Sequence, residues 1–150
     1  QGALYSSARV IPAANVEANY ISCYAIQLSS FYGLRMGIYL PGAAGDTLIA
    51  QTDNITTLTE AGIVTLPLLY GPDGSALGSP LVLNPNTSYM LATVIKANGS
   101  QLAAYTGIST NPPNHFGRQD GWNSPAPSNL LSTTASYTQT NQLIWMSVSK

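Results

Sequence analysis

The chain is 150 residues long, 45% hydrophobic and only 7% charged, with a net charge of −1; one domain is expected, burying about 70% of its unfolded surface, and the apolar content excludes disorder. Ordinary soluble domains carry about 25% charged residues, so hydroxyl and amide side chains must supply the polar surface, as suits an extracellular or virion module that owes little stability to ion pairs. Five Lys and Arg in all cannot build the basic stripe that about six to ten phosphate contacts need, which excludes a nucleic-acid partner.

Gln1 to Ile11 is a moderately apolar lead-in where Leu4, Tyr5, Val10 and Ile11 are expected to pack. Pro12-Ala13-Ala14-Asn15 ends it, because proline removes a ladder donor and restricts the residue before it. Asn19 to Leu28 reads as a strand with Tyr20, Tyr24, Ile26 and Leu28 on one face and Ile21, Cys23 and Ala25 on the other. Apolar residues on both faces predict burial on both. Cys23 is the single cysteine, so no intrachain disulfide forms, and its setting reads as that of a small buried hydrophobe rather than a reactive thiol.

Leu34 to Leu40 alternates cleanly, with Leu34, Met36, Ile38 and Leu40 opposing Arg35, Gly37 and Tyr39, and predicts a half-buried strand. Pro41-Gly42-Ala43-Ala44-Gly45-Asp46 turns the chain into Thr47–Gln51. Gly62–Leu69 and Pro80–Leu83 are further strands, with Gly71-Pro72-Asp73-Gly74 as a turn between them. Asn84-Pro85-Asn86-Thr87 leads into Ser88–Lys96, and Asn98-Gly99 predicts a hairpin joining that strand to Gln101–Thr106.

Residues 107–129 show neither strand nor helix period and read as a long loop whose path is set by Pro112, Pro113, Pro125 and Pro127. Strands at Thr133–Thr138 and Gln142–Val148 close the chain. Short apolar runs punctuated by Gly, Pro, Asp and Asn, with no helical period, predict an all-β fold: an antiparallel β-sandwich or jelly roll in a single domain, residues 1–150.

Catalytic chemistry finds little to use. His115 is the only histidine, and a triad with Asp120 lacks a nucleophile-elbow sequence. Zinc would need three or four ligands from one His, one Cys and scattered carboxylates. Glu17, Asp46, Asp53, Glu60, Asp73 and Asp120 sit in turn-like contexts that favour capping over a glycosidase pair. The expectation is a non-enzymatic chain without cofactor or metal. No apolar run is long enough to span a membrane and no signal peptide is present, while a first residue that is not Met suggests a part of a longer protein.

The constellation with most binding chemistry is His115, Phe116, Arg118, Asp120 and Trp122 in the long loop. The aromatic rings offer faces for a sugar, and Arg and Asp offer charge-assisted hydrogen bonds to hydroxyls or carboxylates. The competing reading is that Arg118 pairs with Asp120 while Phe116 and Trp122 pin the loop to the sandwich. The nine tyrosines divide in the same way between ordinary strand residues and an interface.

Leu34-Arg35-Met36-Gly37-Ile38-Tyr39-Leu40, Gly45-Asp46-Thr47-Leu48-Ile49-Ala50 and Leu83-Asn84-Pro85-Asn86-Thr87-Ser88-Tyr89-Met90-Leu91-Ala92 together resemble jelly-roll head domains of bacteriophage tail fibres and tail needles. That resemblance implies a homotrimeric knob on a virion, following a fibrous shaft and contacting a host-surface receptor, a glycan among the candidates. It assigns no individual receptor contacts. Two other readings stand beside it: a monomeric carbohydrate-binding module of a secreted enzyme or adhesin, using the same loop, and a purely structural capsid or fibre domain.

Overall fold

A computed structural model describes residues 2–27, 31–97, 101–102, 104–106, 117–122, 138–139 and 142–150. Among these residues there is no helix, and the strands in chain order are β1 (Gly2–Val10), β2 (Val16–Ala18), β3 (Tyr20–Gln27), β4 (Phe31–Leu40), β5 (Thr47–Thr52), β6 (Gly62–Tyr70), β7 (Leu81–Leu83), β8 (Tyr89–Ala97), β9 (Gln101–Leu102), β10 (Ala104–Thr106), β11 (Gly117–Trp122), β12 (Thr138–Gln139), β13 (Gln142–Ile144) and β14 (Met146–Ser149). Every strand pairing among the described residues is antiparallel. The ladder runs β12-β11-β1-β8-β4-β5-β6-β3-β14, with β9 also on β3, and β10-β13 and β2-β7 form separate pairs.

The strand β6 turns this ladder into a sandwich. Its first part, Gly62 to Pro67, pairs with β3, whereas Leu68 and Tyr70 pair with β5. Pro67 stands where the chain changes partner, a place where its missing N–H costs no continuous ladder. The two layers so formed enclose one core. Leu34, Met36 and Ile38 of β4, Ala50 of β5 and Leu91 and Ile95 of β8 meet Ile21, Cys23 and Ala25 of β3 and Val64 and Leu68 of β6. Met146 and Val148 of β14 pack against it from the edge. The expected all-β antiparallel sandwich is the fold observed.

Most expected strands recur within a residue or two, and the differences have identifiable causes. The β4 alternation is as predicted, but the strand is buried on both faces. Arg35, Gly37 and Tyr39 are as enclosed as Leu34, Met36 and Ile38. A second apolar cluster of Tyr39, Leu48, Met90, Ala92 and Val94 lies on that far face. A register slip between Ile38 and Tyr39 makes this possible. Ile38 opposes Ala50 and Tyr39 opposes Leu48, so bulged Ile49 sends two residues of equal parity to opposite faces.

The strand β3 reverses the same expectation. Ile21, Cys23 and Ala25 are buried, but Tyr20 and Tyr24 on the other face are 42% and 41% exposed; the Ile26 side chain and Leu28, expected beside them, lie outside the described residues. Ile11, expected to pack, is 62% exposed just beyond β1. The predicted hairpin around Asn98-Gly99 does not pair its arms: β8 lies between β1 and β4 and has no edge to offer, so β9 joins β3 and β10 joins β13. Gln142–Val148 is two strands broken at Trp145, because its first part pairs with β10 and its second with β3. Of Thr133–Thr138 only Thr138 falls among the described residues, in β12.

Turns follow their residues. Gly71-Pro72-Asp73-Gly74 closes with the Gly74 N–H donating to the Gly71 carbonyl and Gly74 at φ 82°. Gly42 is fixed by space, since a Cβ there would stand 2.6 Å from the Gly45 carbonyl oxygen.

The far face of β4 also carries a buried charge. The Arg35 side chain, 1% exposed, donates from Nη1 to Gln51 Oε1 at 3.2 Å and lies 3.8 Å from Asp53 Oδ1. The Gln51 amide in turn donates to the Gly71 carbonyl at 3.1 Å, tying β5 to the turn after β6. Burial pushes the guanidinium pKa down while Asp53 opposes the shift. Asp53 is 58% exposed, so water screens its share of the attraction. We expect Arg35→Ala to lower the unfolding free energy by about 2–4 kcal/mol through the lost packing and charged hydrogen bonds, and Asp53→Ala to lower it by less than about 1 kcal/mol. Urea denaturation of both variants checks this ordering.

Candidate functional site

Of the predicted site residues, His115 and Phe116 lie outside the described residues. Arg118, Asp120 and Trp122 lie on β11, not on a loop. A strand therefore interrupts the stretch expected to be structureless: β11 pairs with β1 at Tyr5↔Arg118, Ala3↔Asp120 and Gly2↔Trp122, and the register slips between Gly2 and Ala3. Gly117-Arg118-Gln119-Asp120-Gly121-Trp122 has no apolar alternation, so its pairing is dictated by the open edge of β1 rather than by its own pattern.

A different surface stands out, on the outer face of β3 and β6. Three cross-strand pairs lie in register there: Tyr24 opposite Ile63, Ser22 opposite Thr65, and Tyr20 opposite Pro67. Tyr20, Tyr24, Ile63, Thr65 and Pro67 are exposed, Ile63 to 63%, whereas Ser22 is enclosed between the two tyrosines. The Ser22 and Thr65 hydroxyls are hydrogen-bonded to each other at 2.8 Å. On β14, Met146 and Val148 pack against the core, so Ser147 and Ser149 extend the outer face beside Ser22 and Tyr20. No position on this face is charged. Tyr20 and Tyr24, four residues apart, are separated by about 13 Å along the strand. The alternation of Tyr20-Ile21-Ser22-Cys23-Tyr24-Ala25 was visible in the sequence; which of its two faces meets the core was not, because both are apolar.

Four of the described carboxylates are engaged locally. Asp46 Oδ1 accepts from the Gly42 N–H at 3.4 Å, Asp53 Oδ1 from the Asn54 N–H at 2.7 Å, and Asp73 Oδ1 from the N–H and hydroxyl of Ser75. The Asp73 carboxyl is held below its ordinary pKa by the Ser75 hydroxyl and N–H. These three cap turns, as their sequence settings predict. Glu17 is different: it lies on β2, pairs with Lys150 at 3.0 Å and accepts from the Asn19 amide at 3.3 Å. The Lys150 and then the Asn19 hydrogen bonds lower its pKa.

Among the described residues, no group of three or more His, Cys, Asp and Glu side chains is placed to hold a metal ion. No helix among them is long and apolar enough to cross a membrane. Comparison with protein-family models, curated proteins and solved structures finds no match to this chain.

Cys23 is a core residue, as its setting predicts. Burial pushes its thiol up to about 12 from the usual 9.0, opposed by the Thr93 hydroxyl. Between these two values the unfolded thiol has lost its proton while the folded one keeps it, so stability falls as pH rises from 9.0 towards 12. Cys23→Ala removes this contribution. Its plot of unfolding free energy against alkaline pH should be shallower than that of the wild type, and equal slopes would show the thiol to be solvated.

Proposed function

We propose that this chain is a non-enzymatic attachment module of a virion: a knob, homotrimeric and extracellular, ending a phage tail fibre or needle and contacting a host-surface receptor. The single observation that carries this reading is the outer face of β3 and β6, where Tyr20, Tyr24, Ile63 and Pro67 stand exposed around the Ser22–Thr65 pair without a charge among them. Exposed apolar residues gathered on one rigid sheet face mark an interaction surface rather than scattered surface apolarity. Tyrosine is enriched and charge depleted at the centres of such interfaces. A net charge of −1 places no electrostatic barrier between copies. The resemblance to fibre and needle heads supplies the number of copies and the receptor-binding role, with the distal loops and the clefts between subunits left to meet the host.

Light scattering coupled to size exclusion tests the assembly. The wild type should show about three times the chain mass of 15.8 kDa. Tyr24→Lys/Ile63→Lys should show the single-chain mass with an unchanged far-ultraviolet circular dichroism spectrum, because both side chains already face outward. A wild type that remains a single chain would favour a monomeric carbohydrate-binding module instead.

A further inference from the structure

Beside the outer face, and separate from it, the fold leaves an open cleft of about 310 Å³ lined by Ala18, Asn19, Leu68, Leu77, Gly78, Ser79, Pro80 and Leu81. Its floor is the link from β2 to β3 at Ala18-Asn19 and the partner-changing point of β6, where the Leu68 N–H donates to the Asn19 carbonyl at 2.8 Å. Its wall is the segment before β7, held in place by the Leu77 N–H donating to the Leu69 carbonyl at 2.9 Å. Leu68 and Ala18 are buried beneath it, whereas Gly78, Ser79 and Pro80 are exposed at its mouth. A Cβ built on Gly78 meets nothing within 4 Å.

We infer that this cleft is a binding subsite for a neutral sugar residue, which rests on the attachment reading and names the receptor chemistry it would meet. The volume lies at the small end of ligand sites, which run from about 300 Å³, so it suits one or two rings rather than a long chain. The lining combines the apolar residues Leu68, Leu77, Pro80 and Leu81 with the polar residues Asn19 and Ser79 and with Gly78. A pyranose presents the same mixture, apolar C–H faces edged by hydroxyls. No charged side chain lines the cleft, and Glu17, next to the lining residue Ala18, is paired with Lys150 at 3.0 Å. An ionic ligand would therefore lose water without gaining a partner.

The test is amide-resolved nuclear magnetic resonance of the intact protein, titrated with glucose, galactose, mannose, N-acetylglucosamine and lactose, with N-acetylneuraminic acid as the anionic comparison. At least one neutral sugar should give saturable shifts at Asn19, Leu77, Gly78 and Ser79. Those shifts should disappear in Gly78→Phe, which fills open space, and persist in Gly78→Ala. Absence of saturable shifts with every neutral sugar, shifts that survive Gly78→Phe, or tighter binding of the anionic sugar would each overturn the inference. Gly78 lies off the Tyr24–Ile63 face, so the mass of Gly78→Phe separates the two readings. Intact trimers without sugar binding defeat this inference alone, and sugar binding by a single chain defeats the assembly reading alone.

Discussion

Burial of β4 and β8 on both faces is the constraint from which the other features follow. These strands are paired along almost their whole length, and each sends one set of side chains into the core between the layers and the other into the cluster around Tyr39. Because β8 is flanked by β1 and β4, neither of its edges is open to the segment that follows it in the chain. Residues beyond Ala97 must find other partners, and β9, β10, β11, β13 and β14 do so on β3, on β1 and among themselves. The hydrophobic gain from the doubly buried pair, about 25 cal/mol for each Å² of apolar surface covered, outweighs the cost of enclosing Arg35 and Gln51 on the same face. Their mutual hydrogen bond and the Gln51 bond to the Gly71 carbonyl reduce that cost.

Period-two alternation and turn residues made the strands from Asn19 to Lys96 legible, along with the turns at Gly71-Pro72-Asp73-Gly74 and Asn84-Pro85-Asn86-Thr87. Asn86 takes φ 61° in the latter, as asparagine tolerates better than most residues. What alternation cannot say is what covers each face. Arg35 read as the solvent side of β4 because a charge usually is, and it is buried because this strand is central. Tyr20 and Tyr24 read as buried because they are apolar, and they are exposed because, among the described residues, β3 has a neighbouring layer on one side only. The strand at Gly117–Trp122 left no mark in its own sequence, since its pairing comes from the free edge of β1. The Asn98-Gly99 signal describes a local turn preference and carries no information about which strands are already flanked. The candidate site shifted accordingly, from residues chosen for their chemistry to a surface defined by what the fold leaves uncovered.

The uncharged character of the chain acquires a location in this fold. Among the described residues, Asp46, Asp53 and Asp73 cap turns, Glu17 pairs with Lys150, and the buried Arg35 ties β4 to β5 and, through Gln51, to the turn beyond β6. The two surfaces proposed for recognition are neutral: a tyrosine-bearing sheet face and, next to it, a small cleft of mixed polarity. Surfaces of this kind associate through apolar contact and hydroxyl hydrogen bonding, so binding through them should change little with ionic strength, unlike steered charge–charge association.

The most direct test of the proposed assembly is hydroxyl-radical footprinting of the native protein, with Tyr32, an exposed tyrosine of β4, as internal reference. Tyr20, Tyr24 and Ile63 should label far more slowly than their exposure in a single chain implies, and dissociation by Tyr24→Lys/Ile63→Lys should restore the rate at Tyr20. Labelling of Tyr20 and Tyr24 as fast as Tyr32 in the native protein would show that the outer face of β3 and β6 is open to water, and would contradict its role as the contact between copies.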